Sequence, residues 1–94
     1  MRLVDLPKNA PAVVVAVHPH GEADAIARRL AEIGFVPGEP VEVRAAGPLG
    51  REPLMVQVGY TRFALRRSEA ARVEVAPALE VKVDVTVDRE ARAA

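Results

Sequence analysis

The chain has 94 residues, enough for one domain with a modest core. Its thirteen basic and thirteen acidic side chains cancel, which argues against non-specific nucleic-acid binding because that needs a basic face. The absence of cysteine excludes disulfides and thiolate metal sites, and no apolar run approaches the roughly 20 residues of a membrane span. With no signal-peptide pattern at the N-terminus, we expect a cytoplasmic protein without membrane insertion.

The N-terminal third predicts a short arm, a strand and a helix. Leu3 and Leu6 are expected to pack as an arm against the rest of the domain. The Val-rich run from Ala12 to His18 predicts a strand covered on both faces, ended by Pro19 because proline cannot donate to a β ladder. The pattern from Glu22 to Ile33 then predicts a helix with Gly21 as its N-cap.

A compact corner connects this helix to the next strand. Gly34 is predicted to be the C′ residue with positive φ, and Phe35 to fold back onto the last helical turn. Pro37 and Gly38 occupy the second and third positions of a predicted type II turn. From Val41 the apolar period changes from helical to two, which indicates a strand.

The rest of the chain predicts short strands at residues 41–44, 54–58, 61–66 and 73–75. Gly47 to Gly50 is expected to end the first of them with a loop. Gly59-Tyr60 fits a two-residue type II′ hairpin turn, which requires glycine first. A single helical turn capped by Ser68 is expected before the last strand.

The order R-L-x-E-I-G-F-x-P-G-x-x-V-x-V, from Arg29 to Val43, resembles the core motif of the FeoA family. The resemblance extends from about Leu3 to Val75. It implies a small cytoplasmic SH3-like barrel that serves the bacterial ferrous-iron transporter FeoB as an accessory. The same fold occurs as the C-terminal domain of iron-dependent repressors of the DtxR type.

We therefore predict a mainly β fold: a small, closed, five-stranded SH3-like barrel, with one α-helix between strands 1 and 2 and an extra C-terminal strand. The structural residues of its corner are Gly34, Pro37 and Gly38. The predicted boundaries are 1–76 for the barrel and 77–94 for the extension. The residues expected to share the core are Val15, Leu30, Ile33, Phe35, Val41, Val43, Val56, Phe63, Leu65 and Val73.

The C-terminal extension has a strong strand pattern over residues 80–88. Its valines alternate strictly with polar residues from Val81 to Val87, which predicts one apolar face. The strand can fold back on its own barrel or cross to a second molecule and form a homodimer. We favour the homodimer because the link Ala76-Pro77-Ala78 is short.

One cluster has the side chains of a metal site: His18, His20, Glu22 and Asp24. Imidazole and carboxylate groups are ligands for zinc or iron, although a functional closed site needs three or four fixed ligands. The alternative is a polar surface turn. We expect no required cofactor and at most weak divalent binding at these surface histidines.

Four other residues are candidates for binding a protein partner: Leu49, Met55, Tyr60 and Arg62. They are expected in loops or on the outward faces of strands, and Met and Tyr are enriched at interfaces. The alternative is ordinary exposed surface, which proteins have in abundance.

Catalytic constellations and phosphate-binding loops are absent from the sequence, so we expect a protein that is not an enzyme. The resemblance then implies an accessory or regulatory protein of ferrous iron transport that binds the cytoplasmic part of a FeoB-type membrane transporter, with no nucleic-acid partner. The alternative is a stand-alone SH3-like interaction module of an iron-dependent transcriptional regulator. That module would need a partner with the DNA-binding helix, since this chain has no helix-turn-helix.

Overall fold

The computed structural model describes residues 1–78; the predicted C-terminal strand lies outside these residues. A short 3₁₀ turn at Leu3–Asp5 precedes the regular elements, which are β1 Ala12–Val17, α1 Ala25–Glu32, β2 Pro40–Leu49, β3 Glu52–Val58, β4 Thr61–Leu65, α2 Arg67–Ala70 and β5 Val73–Pro77. The mainly β fold class, and the single longer helix between the first two strands, are confirmed.

The five strands form one antiparallel sheet in the order β4-β3-β2-β1-β5. Within residues 1–78 no ladder joins β4 to β5, so the barrel that the sequence predicted as closed is open along this seam. The physical reason is the connection: β4 and β5 are joined through α2 and not by a hairpin turn, and they lie at opposite edges of the sheet.

The core lies between one face of the sheet, α1 and the N-terminal segment. Leu30, Phe35, Val41, Val43, Val56, Leu65 and Val73 are buried there together with the N-terminal Leu3 and Leu6. Ile33 and Phe63 are partly buried and pack against this core. Val15 is the exception among the predicted core residues. Ala12 and Val14 face the core, so strand alternation puts Val15 on the outer face, where it is 40% exposed. β1 is consequently covered on one face, not on both.

β2 is longer than the sequence predicted. Gly47 to Leu49 continue the strand, and the reversal occurs at Gly50-Arg51, with positive φ at both residues. Leu49 pairs directly with Glu52 across this two-residue turn. β2 extends this far because β3 supplies a pairing partner along its whole length, with two register shifts on the way.

The corner between α1 and β2 has the predicted geometry. Gly34 has φ of 129°, and its amide donates to the Ala31 carbonyl at 3.3 Å. The Phe35 amide donates to the Leu30 carbonyl at 3.0 Å, which completes a Schellman motif. Gly38 has φ of 94°, and the Glu39 amide closes the predicted turn on the Val36 carbonyl at 3.1 Å.

Both helices begin differently from the prediction. α1 begins at Ala25 and is capped by Asp24, not by Gly21, because the Asp24 carboxylate accepts hydrogen bonds from the Ile26 and Ala27 amides. α2 begins one residue before Ser68, which therefore lies inside the helix and is not its N-cap. The Glu69 carboxylate accepts a hydrogen bond from the Arg66 amide at 2.7 Å, so the backbone amide of the N-cap residue of α2 has a partner.

Candidate functional sites

The histidine loop between β1 and α1 contains the predicted metal-ligand residues. His18 lies immediately after β1, and its Nε2 is 2.7 Å from Glu74 Oε1 on the neighbouring strand β5. His20 is exposed, and its backbone amide donates to Asp24 Oδ2 at 2.8 Å. Glu22 is exposed as well. The first imidazole is thus already paired with a carboxylate that the prediction did not include.

Asp24 is the most strongly engaged residue of the loop. Its Oδ2 accepts from Arg72 Nε at 2.7 Å, and the two side chains are only 7% and 11% exposed. The same guanidinium donates to the Ser68 carbonyl through Nη1 at 2.6 Å. The Arg72 guanidinium, together with the amides of His20 and Ala27, holds the pKa of Asp24 well below its usual range. Asp24 therefore orders the start of α1 against α2 and β5.

These contacts bear directly on metal binding. Within residues 1–78, no three or more His, Asp and Glu side chains are placed to hold one metal ion. An open pocket of about 270 Å³ lies beside the loop, and Glu22, Asp24 and Arg28 contribute its polar groups. Arg28 places a cation in this pocket, and the Asp24 carboxylate is already occupied. The residues present do not fit a closed zinc or iron centre.

The predicted partner-binding residues lie on β2, β3, β4 and the turn between β3 and β4. Met55 lies outward in the middle of β3, between the exposed Ala45 of β2 and Ala64 of β4. Arg62 lies on the same face, and its Nε is 3.4 Å from Gln57 Oε1. Leu49 is 82% exposed at one end of the β2–β3 hairpin. Tyr60, in the turn at the opposite end of β3, is fully exposed. Met55 and Arg62 therefore share a face, whereas Leu49 and Tyr60 mark its two ends.

Sequence reasoning missed Arg72 and Glu74, the two residues that organise the histidine loop. They lie 48 and 56 residues from their partners Asp24 and His18. The alternation of Val73 and Val75 placed both residues on the less buried side of β5. It gave no sign of what they would contact. The sequence carried no signal for either contact, because it does not reveal that Arg72 is buried.

A five-stranded antiparallel sheet, with a helix after its first strand and a helical turn before its last, defines a small SH3-like domain. The family model described as FeoA domain matches residues 1–77. The chain belongs to the FeoA domain family, as the motif from Arg29 to Val43 predicted.

Solved structures agree with this assignment. Stenotrophomonas maltophilia FeoA, determined as a zinc complex, is 59% identical over 81% of this chain and 89% of that chain, with a TM-score of 0.76. It is described as a prokaryotic SH3 domain protein and proposed to be a bacterial ferrous iron transport activating factor. Chlorobium tepidum FeoA is 31% identical over 82% of this chain and 70% of that chain, with a TM-score of 0.70.

A more distant likeness is to T. acidophilum IdeR, at 19% identity and a TM-score of 0.66. It covers 82% of this chain and 33% of that chain, and at this identity it shows a shared fold alone. The comparison with curated proteins gave no match. Neither helix in the part of the chain described by the structure has the length and hydrophobicity of a membrane span.

Proposed function

We propose that this protein is a non-enzymatic cytoplasmic accessory of bacterial ferrous iron transport, and that it binds the cytoplasmic part of a FeoB-type membrane transporter. The observation that carries the proposal is the 59% identity, over 81% of the chain, to a protein considered a ferrous iron transport activating factor. An activating factor acts through a protein partner, and an SH3-like domain of this size has to make that contact with its surface.

The outward face of β2, β3 and β4 is the surface we propose for the contact. Met55 contributes an exposed thioether flanked by two alanines, which leave room for a partner's side chains. Tyr60 and Leu49 extend the surface to both ends of β3, about 20 Å apart for a seven-residue strand. Arg62 supplies one cation on this face. Exposed Met, Tyr and Arg side chains are the types enriched at protein interfaces.

The proposal includes only weak metal binding, at the histidine loop. His18 pairs with Glu74 and Asp24 pairs with Arg72, so the loop presents the exposed His20 and Glu22 as its remaining donors. Two ligands without fixed geometry bind zinc or iron weakly. We propose that any divalent binding at this loop is a weak surface event and is not needed for folding.

The test is co-purification with the cytoplasmic domain of a FeoB-type transporter from the same genome. Tyr60→Ala and Arg62→Glu are expected to reduce capture of the transporter domain. Val36→Ala and Arg28→Glu are matched controls: Val36 is also an exposed turn residue and Arg28 is also an exposed arginine, but both lie at or near α1. The controls are expected to bind like the unmodified protein.

Two results would count against the proposal in different ways. If the folded protein fails to capture the transporter domain at all, the proposed partner is wrong. If it captures the domain and the two pairs of variants behave alike, the partner stands and the proposed face of β2, β3 and β4 is wrong.

A further inference from the structure

The two edges of the sheet differ in how they are covered. On β5, the Val75 amide donates to the Met1 carbonyl at 2.7 Å, and Arg2 forms an isolated antiparallel bridge with Glu74. The N-terminus therefore occupies the middle of that edge. β4 pairs with β3 on one side, and within residues 1–78 no segment pairs with its other side.

The exposed backbone groups of β4 can be identified from its register. Val58 and Thr61 flank a two-residue turn, so they form a hydrogen-bonded pair. Because hydrogen-bonded and non-hydrogen-bonded pairs alternate along an antiparallel ladder, Phe63 and Leu65 also direct their backbone groups towards β3. The N–H and C=O groups of Arg62 and Ala64 consequently face away from β3. Such a row of free groups is a template for an additional strand.

An apolar groove runs beside this edge, between β4 and α1. Ile26, Ile33 and Phe63 line it with partly exposed side chains, and Arg29 and Glu69 lie at its rim. Its cavity has a volume of about 60 Å³. A strand that pairs with β4 and has small apolar side chains on one face would cover this groove while it satisfies the edge.

We propose that the β4 edge and this groove bind residues 81–87 of a second copy of the chain, which produces a two-fold dimer by reciprocal strand addition. This segment lies beyond the family match at residue 77 and carries valine at 81, 83, 85 and 87. With these valines towards the groove, the intervening Asp84 lies on the same face of the extended sheet as Arg62, which gives complementary charge.

The geometry at the end of β5 favours a second copy over the chain's own β4. The register places Pro77, Ala12, Val41, Val58 and Thr61 in one row across the sheet. Four inter-strand steps therefore separate the end of β5 from the start of β4, about 19 Å along the sheet. The three residue steps from Ala78 to Val81 span about 10 Å. The link is therefore too short to reach β4 along the sheet. The proposed dimer shares Arg62 with the proposed transporter contact, so the dimer is tested with changes in the tail and at the groove edge, which leave Arg62 intact.

The experiment measures mass by sedimentation over a concentration series of the full-length protein. The unmodified protein is expected to dimerise. Val83→Asp with Val85→Asp is expected to abolish the dimer, whereas Lys82→Gln with Thr86→Ser changes the other face and is expected to preserve it. Ala64→Pro removes one outward amide of β4 and is expected to abolish the dimer; Ala64→Ser keeps that amide and should not.

Mixing provides the decisive measurement. The double-aspartate protein keeps an intact β4 edge and the Ala64→Pro protein keeps an intact tail, so their mixture is expected to associate although neither does so alone. Circular dichroism verifies folding of each variant, and Ile26→Asp in the groove lining replaces Ala64→Pro if the latter is unfolded. A monomeric unmodified protein, a dimer that survives the tail changes, or a dimer that survives both the Ala64→Pro and Ile26→Asp changes would overturn the proposal.

Discussion

The two ends of α1 are held in opposite ways. At the C-terminal end, the carbonyls of Leu30 and Ala31 are satisfied by amides within the next five residues. At the N-terminal end, Asp24 caps the helix and is itself held by Arg72, 48 residues further along the chain. One end is therefore determined by local sequence and the other by tertiary structure. The position of a capping residue can therefore depend on a distant cation as much as on its own helix.

The largest loss of stability is expected at Leu30, whose side chain packs α1 against the core. It lies in the last turn of α1 and is buried in the core, so Leu30→Ala should lower the free energy of unfolding by about 2–5 kcal/mol. Denaturant unfolding followed by circular dichroism measures this loss. An unchanged unfolding midpoint would show that α1 does not depend on its core contact.

A somewhat smaller loss is expected at the locally determined end. Gly34 has φ of 129°, which a β-branched residue adopts only with strain, although an added Cβ would meet only Val58 Cγ1 at 3.6 Å, an ordinary van der Waals contact. Gly34→Val should therefore reduce stability by about 1–3 kcal/mol. Thermal unfolding is the measurement, and Ala31→Val, at an exposed position in the same turn, is the control for β-branching alone. Equal melting temperatures for the two variants would contradict a local origin of this end.

The long-range end is expected to show a smaller loss that depends on pH. Asparagine caps helices about as well as aspartate, so Asp24→Asn tests the charge facing Arg72 and not the cap. Because the pKa of Asp24 is lowered by folding, its charge stabilises the protein fully above the usual aspartate pKa of about 4. That contribution disappears as the pH falls below this value towards the pKa of the folded state.

Melting temperatures of both proteins over a pH series test this expectation. The unmodified protein should melt at a higher temperature than Asp24→Asn at neutral pH, and the difference should narrow only in the acid range. A difference that is absent at neutral pH, or that does not narrow in acid, would mean that the Arg72 contact does not stabilise the start of α1.

The smallest effect is expected at Gly21, which precedes α1 and does not cap it. Its φ is not positive, and an added Cβ would meet nothing within 4 Å. Gly21→Ala should therefore change the free energy of unfolding by less than about 0.5 kcal/mol. A clear decrease in the melting temperature of Gly21→Ala would indicate that Gly21 contributes to capping α1.

Sequence reasoning succeeded where neighbouring residues determine the structure. The apolar period of two predicted the inward faces of β2 and β3, and the Pro37-Gly38 pair predicted a turn that the structure contains. It failed where contacts with residues distant in the sequence determine the structure. Ala46 to Pro48 carry no strand pattern, and they belong to β2 because β3 lies alongside. Val15 was misplaced because a continuous run of valines does not show which of its members face the core.

The candidate sites show the same division. Exposure of Leu49, Met55 and Tyr60 followed from turn chemistry and strand alternation, both of which are local. The contacts of His18 and Asp24 could not be predicted, because Glu74 and Arg72 reach them only once β5 is aligned with β1. His18 and Asp24, which are close together in the sequence, thus belong to two separate ion pairs.

The contacts of Arg72 have a consequence for local unfolding of the protein. Its side chain contacts Asp24 and the Ser68 carbonyl, and its backbone carbonyl accepts from the His18 amide at 2.7 Å. One residue thus joins the end of β1, the start of α1 and α2. Native-state hydrogen exchange should then show the amides of His18, Ile26 and Ala27 exchanging with a common opening free energy, as one cooperative unit. The Gly34 and Phe35 amides, which are held within their own turn, belong to a separate one.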